Sequence, residues 1–351
     1  MIMKIVLALL ALGGAALAIG KILIWGDNAV GYGSYVPWGL WVAAYGFLIT
    51  LSAGSAFVAN MYYAFGREGN KRSARPALLL AIISLLTALP IIGMDLGHPF
   101  RGVMVLLTPD FQAFLPWAVW SYVLFLIVSF MLLKKDTAGA DTRMFGKLSL
   151  LMAGLFTILE ALHFGTVIAH PVWNSAMTIP LFLVTAVALG YCVLAIFGEG
   201  EREYVRTMLL AHLIIVDIME LGKLVVEWYS ATPAMQASAS GALASPMFWV
   251  FIVLAVVLPI AMFSQKKPSS AIVRLSAVSI LIGLFAAKYE FVTSAFALTQ
   301  FAELPAAFSG PGLTIHYMPT TLEIGVTIGF MAAGLLAFIW FSPSAKQTQQ
   351  N

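Results

Sequence analysis

The sequence predicts an all-α polytopic membrane protein of about ten transmembrane helices, and three observations predict it. Of 351 residues, 61% are hydrophobic and 10% charged, with a mean hydropathy of +0.94; a soluble domain is about half apolar and a quarter charged. The apolar residues fall into ten runs of bilayer-spanning length. The basic residues gather in alternate links between those runs.

A helix needs about 20 apolar residues to cross a bilayer. The runs lie at 2–24, 38–65, 76–95, 112–133, 147–170, 173–197, 205–229, 246–264, 272–297 and 319–342. The first resembles a leader, with Lys4 before the apolar stretch and Ala16–Leu17–Ala18 resembling a cleavage site. It continues apolar to Ile24 and Trp25, so it is expected as a retained span. The links 66–76, 134–143 and 198–203 are polar or rich in Gly and Pro. The longest, 230–245 and 298–318, carry one charge between them, Glu303. No stretch is left for a soluble domain, so 1–351 is expected to be a single integral membrane domain.

The termini and the even-to-odd links hold fifteen of the nineteen Lys and Arg, which places both termini in the cytoplasm by the positive-inside rule. The other face is nearly uncharged and rich in Trp25, Trp38, Trp41, Trp117, Trp173, Trp228, Tyr32 and Tyr35, read as an interfacial belt. A net charge of +3 with no basic run excludes nucleic acid as a partner. The single cysteine, Cys192, forms no internal disulfide or Cys-based metal site, and no other metal-binding spacing is present.

Ionisable groups inside a bilayer cost several kcal/mol, so they pair, face the bundle interior and mark function. Segment seven contains HLIIVDIMELGKLVVEW, in which His212, Glu220, Lys223 and Glu227 share one stripe, with Asp217 a turn from Glu220. Segment five carries Glu160 and His163 at i, i+3, with His170 on the same face. GMDLGHPFR (93–101) ends segment three with Asp95, His98 and Arg101. Lys288 and Glu290, two apart in segment nine, are expected to reach different neighbours, and Glu323 lies one turn inside segment ten.

A quinone suits this arrangement, because its carbonyls exchange protons with the electrons and call for a donor and nearby carboxylates. A transported ion would use the same carboxylates at an alternating-access site, and a secondary transporter acting alone is the alternative; no inverted repeat is visible. Two axial histidines at equal depth, as haem b requires, are not found, so no haem and no metal are expected.

SYVPWGLWVAAYGFLITLSAGSAF (34–57), GMDLGHPFRGVMVLLTPDFQAFLPWAVW (93–120), TRMFGKLSL (142–150) and YMPTTLE (317–323) resemble the NrfD/PsrC-type family, the polysulfide-reductase membrane subunits. The ten-helix branch, which includes hydrogenase-2, tetrathionate-reductase, sulfite-reductase and Dsr-complex subunits, is the most similar. The resemblance implies a membrane anchor, not catalytic alone, in an anaerobic-type respiratory oxidoreductase of a bacterial or archaeal inner membrane. It implies menaquinone or ubiquinone as exchangeable substrate near the outer face and a four-cluster iron–sulfur partner. That partner leads to a molybdopterin enzyme, a multihaem cytochrome or a hydrogenase. Asp95, His98 and Arg101 match its DLG element, although many members have Arg where this chain has His98; Glu323 matches its acidic position in the last helix. We expect two four-helix bundles and two peripheral helices, with the quinone between helices two, three, five and seven. His163, Lys223 and Arg101 are then carbonyl donors; Glu160, Asp95 and Glu227 exchange protons. His212, Asp217 and Glu220 form a proton route, and proton translocation is an open expectation.

Overall fold

The computed structural model describes residues 2–170, 172–198, 202–265, 268–296, 307, 308, 310, 313 and 317–342; Glu303 and His316 lie outside them. Among the described residues every regular element is a helix. The long helices are α1 (Ile2–Gly20), α2 (Leu40–Tyr63), α3 (Lys71–Asp95), α4 (Phe114–Thr137) and α5 (Arg143–Gly165) in the first half. They continue as α6 (Thr178–Phe197), α7 (Arg202–Tyr229), α8 (Pro246–Phe263), α9 (Ser270–Thr293) and α10 (Thr321–Phe341). Nine of the ten are long and apolar enough to cross a membrane. The other, α7, has the length but carries its ionisable stripe. It turns Ile214, Ile215, Ile218, Val225 and Val226 outward and buries Leu209, Leu213, Val216, Asp217 and Glu227, as a spanning helix with a polar seam must.

Packing divides the helices as expected. α2, α3, α4 and α5 close one four-helix ring, and α6, α7, α8 and α9 close a second. The rings share the seams of α2 with α6 and α9, and of α5 with α6. α1 and α10 pair with each other against α3. Small residues set these crossings, as lipid offers no hydrophobic drive between helices. A Cβ on Gly54 of α2 would collide with the Ala186 carbonyl of α6, and one on Gly190 would strike Gly54. Cys192, on the same helix, is fully buried.

Several boundaries differ from those read in the sequence. The N-terminal helix runs on through a π turn, Lys21–Trp25, and a 3-10 turn, Gly26–Ala29. Within α8 the segment Ile252–Val257 is π-helical, and the Ser279 hydroxyl of α9 donates to the Leu254 carbonyl there, at 2.6 Å. The link 230–245 contains a twelve-residue helix, Pro233–Ala244, begun by a proline at its first position. α5 stops at Gly165, so His170 is not on the face of His163; it lies in the following turn, with its N–H bonded to the Val167 carbonyl. The aromatic belt is also only partly a belt. Trp25, Trp117 and Trp228 are exposed, but Trp41 and Trp173 are core residues at 0% and 1% exposure.

Candidate functional site

The ionisable groups collect in two places. The first lies at the end of the molecule opposite the basic links, where α1, α3 and α10 meet. The π turn after α1 swings Lys21 inward, where it is buried. Its Nζ reaches Asp27 Oδ1 at 2.7 Å and lies over the Trp41 ring at 5.8 Å. Asp95, the last residue of α3, feels both Lys21 and Asp27, and its Oδ1 is buried without a hydrogen-bond partner among the described residues. After Asp95 the chain bends, and Pro99–Val103 forms a 3-10 turn that presents His98 and Arg101 on the surface. Lys21, Asp27, Gly97, His98, Phe100 and Arg101 line a cleft of about 330 Å³.

Glu323 belongs to the same region but is consumed by structure. It is fully buried, and its carboxylate accepts from the Gly31 N–H (2.8 Å), the Tyr317 hydroxyl (2.6 Å), and the Thr320 N–H and hydroxyl (2.9 and 3.1 Å). With Thr320 it forms a capping box on α10. Burial and this neighbouring carboxylate push the Tyr317 phenol well above its ordinary range, so it stays a donor.

The second place is central. Glu160 of α5 is buried and accepts from the hydroxyls of Tyr45 (α2) and Tyr122 (α4), each at 3.0 Å; the two hydroxyls lie 2.7 Å apart. Lys288 of α9 lines a small space with Glu220 of α7, and its stem passes Gly46, the chain neighbour of Tyr45. Along α7, Lys223 Nζ stands 3.6 Å from Glu227 Oε1. Glu220, Lys223 and Glu227 line a cavity of about 50 Å³ with Glu290 of α9 and Phe291. That is room for water and not for an aromatic ring. Lys288 and Glu290 therefore do face different neighbours. Asp217 Oδ1 is buried without a hydrogen-bond partner among the described residues. Towards the basic end, His212 Nδ1 bonds the Met208 carbonyl and its ring lies 5.0 Å from Tyr191. Tyr191 meets the Tyr204 hydroxyl, to which Arg67 donates at 2.8 Å.

An aromatic wall stands at the entry to α2 and the turn between α5 and α6. Trp38 stacks on Trp173 (centroids 5.2 Å apart) and is tilted against His163 (5.8 Å); the Trp173 indole donates to the Phe291 carbonyl at 2.6 Å. His170 contacts Trp173 and Phe296 and hydrogen-bonds the Ala295 carbonyl at 3.0 Å. The residues read as one site are thus separated. Asp95, His98 and Arg101 share the cleft region, Glu160, Glu220, Lys223 and Glu227 the central cluster, and His163 the wall. Lys21 falls within the first apolar run and Asp27 just beyond it, and only the π turn brings the two together, a pairing that the linear sequence does not mark. The sequence likewise passes over Tyr45 and Tyr122, whose hydroxyls no local motif marks.

A helical membrane protein with enclosed charges on both bundles and an amphiphile-sized cleft at one end defines a class, and the sequence comparison defines it further. The family described as polysulphide reductase, NrfD, matches residues 30–300, and the chain belongs to it: it is a membrane subunit of an oxidoreductase complex. A selenate reductase subunit of Mesobacillus selenatarsenatis is 23% identical, with 87% of this chain and 84% of that protein covered. The Hdr-like menaquinol oxidoreductase integral membrane subunit of Archaeoglobus fulgidus is 24% identical over 88% and 84%. The probable Ni/Fe-hydrogenase 2 b-type cytochrome subunit of Escherichia coli is 23% identical over 95% and 91%. Among solved structures, bd oxidase from Geobacillus thermodenitrificans superposes with a TM-score of 0.52 at 13% identity, covering 86% of this chain and 93% of that one, which speaks to the fold alone.

Proposed function

We propose that the chain exchanges electrons between a membrane quinone pool and an iron–sulfur subunit, and that the quinone head group enters the cleft at the end of α1 and α3. The observation that carries this reading is Asp95. A buried carboxylate oxygen without a partner among the described residues, two positions before Gly97 in the lining of a cleft of about 330 Å³ that also holds the Lys21–Asp27 pair, suits a ligand that exchanges a proton. His98 and Arg101 offer hydrogen bonds to a quinone carbonyl, and the exposed Leu23, Leu96 and Phe100 offer an apolar path for an isoprenoid tail. The menaquinol named for the archaeal relative supports the same substrate class.

On this reading the basic links face the cytoplasm of a bacterial or archaeal cell, and the cleft opens at the outer face. There the partner, a four-cluster iron–sulfur protein, docks and passes electrons to a molybdopterin enzyme, a multihaem cytochrome or a hydrogenase. His163 and Lys223 then stand back from the carbonyls, and Glu160, Glu227 and Asp95 exchange protons. His212, Asp217 and Glu220 lead along α7 to the cytoplasm.

The test is quinol-dependent electron transfer by the membrane complex carrying Asp95→Asn, with a photoreactive short-chain quinone as a second probe. Loss of turnover and of labelling at 95–101 is expected. Wild-type turnover with labelling elsewhere overturns the cleft assignment.

A further inference from the structure

Lys288 has no part in the cleft and none in the α7 route, yet it is the residue on which the two bundles converge. It sits in the last third of α9 and is buried. Its stem crosses α2 at Gly46, where a Cβ would lie 3.6 Å from Lys288 Cδ. The ammonium lies 3.4 Å from the centroid of Phe182 on α6 and 5.3 Å from that of Phe291. No salt bridge or hydrogen bond fixes it among the described residues. Glu220 of α7 lines a small space with it, and Glu160 of α5 accepts from Tyr45, the chain neighbour of Gly46, so an acid of each bundle stands near it. A space of about 10 Å³ lined by Thr185, Phe182, Glu220 and Lys288 approaches the size that holds one water.

A structural cation in this setting would be locked to one carboxylate, since an unpaired charge in a membrane interior is costly. Lys288 is instead cradled by two ring faces, an attraction that follows the charge without directing it to either acid. Its four side-chain torsions leave the amine free to swing between rotamers. Glu160 is the acid joined to Tyr45 and Tyr122; Glu220 is the acid that continues into the α7 stripe and Asp217.

We propose that Lys288 relays protons between Glu160 and Glu220, joining the tyrosine–carboxylate group of the first bundle to the ionisable stripe of the second. In one cycle the neutral amine takes the proton of the Glu160 carboxylic acid, leaving an ammonium and a carboxylate. The ammonium then delivers that proton to the Glu220 carboxylate, and the amine is restored. One proton moves and no electron does. The relay rests on the quinol reading for the origin of its proton, which is one released when a quinol gives up its electrons.

The test uses the membrane complex in liposomes with an internal pH dye, comparing wild type with Lys288→Met and Lys288→Arg while quinol turnover and proton movement are recorded together. Both variants are expected to keep electron flow and to lose most of the protons moved per electron. Arginine keeps the charge but does not deprotonate in proteins, so it cannot relay. A ratio restored by arginine makes Lys288 a packing cation and overturns the proposal, as does a wild-type ratio in Lys288→Met. Should the wild type show no quinol turnover, the functional reading fails on its own. Hydrogen–deuterium exchange at the Glu220 carboxylic acid, followed by its infrared band and assigned with Glu220→Gln, then decides the relay. Exchange at least ~10²-fold slower in both Lys288 variants supports it; an unchanged rate overturns it.

Discussion

The Tyr317 hydroxyl donates to Glu323 Oε1 at 2.6 Å while accepting from the Leu40 N–H at 2.7 Å. One phenol thereby ties the first turn of α10 to the first turn of α2. The Trp41 indole adds a bond to the Glu323 carbonyl at 3.2 Å, so the acid serves as the clasp of three segments. Glu323→Ala leaves buried donors unsatisfied, each at about 1–3 kcal/mol. We expect a markedly lower unfolding temperature in detergent, and a smaller loss for Glu323→Gln. A carboxylate needed only for quinone contact would leave that temperature unchanged.

Glu160→Gln keeps an acceptor for Tyr45 and Tyr122 but cannot take up a proton. The protons moved per electron should fall as in the Lys288 variants, with quinol turnover and the amount of inserted protein kept. Turnover assayed alongside membrane content separates this outcome from misfolding.

Arg101 is exposed at the cleft, and its side chain makes no hydrogen bond or ion pair among the described residues. Losing a charged hydrogen bond of about 1.5–3 kcal/mol should raise the apparent KM for quinol roughly 10- to 100-fold in Arg101→Ala, with kcat little altered. A kcat loss at constant KM would remove Arg101 from substrate binding.

His170 lies in the turn between α5 and α6, outside the spanning helices. Burial lowers its pKa below the ordinary 6.5, and the neutral ring donates Nδ1–H to Ala295. A base with a depressed folded pKa stabilises the fold fully above pH 6.5, and that contribution is lost as pH falls through the lower folded value. Acidification should loosen the Trp38–Trp173 stack, read as a red shift in tryptophan emission, and His170→Gln should flatten that pH dependence.

Much of the architecture was legible because a bilayer imposes length and charge rules on the chain. The apolar runs located the helices, and the stripe from His212 to Glu227 marked the inward face of α7. What sequence could not give was the distance between clusters. Asp95 and Glu160 are both acids of apolar helices, and nothing local tells that one closes α3 near Lys21 while the other turns inward onto Tyr45 and Tyr122. Tyr45 and Tyr122 read as ordinary core aromatics until three helices bring their hydroxyls onto one carboxylate. The tryptophans misled for a related reason: Trp41 and Trp173 occupy belt positions along the helix axis but face inward, and axial position alone does not set the facing.

The lone thiol of Cys192, sealed in α6 against the first bundle, has a practical corollary. Water-soluble maleimides should pass it by in the folded protein, so a cysteine introduced at Ile168 or Leu107, both exposed, would be the sole reactive handle. Spin or fluorescent rulers can then be mounted on that rim with the native sequence otherwise intact, and the approach of a docking subunit followed as a distance.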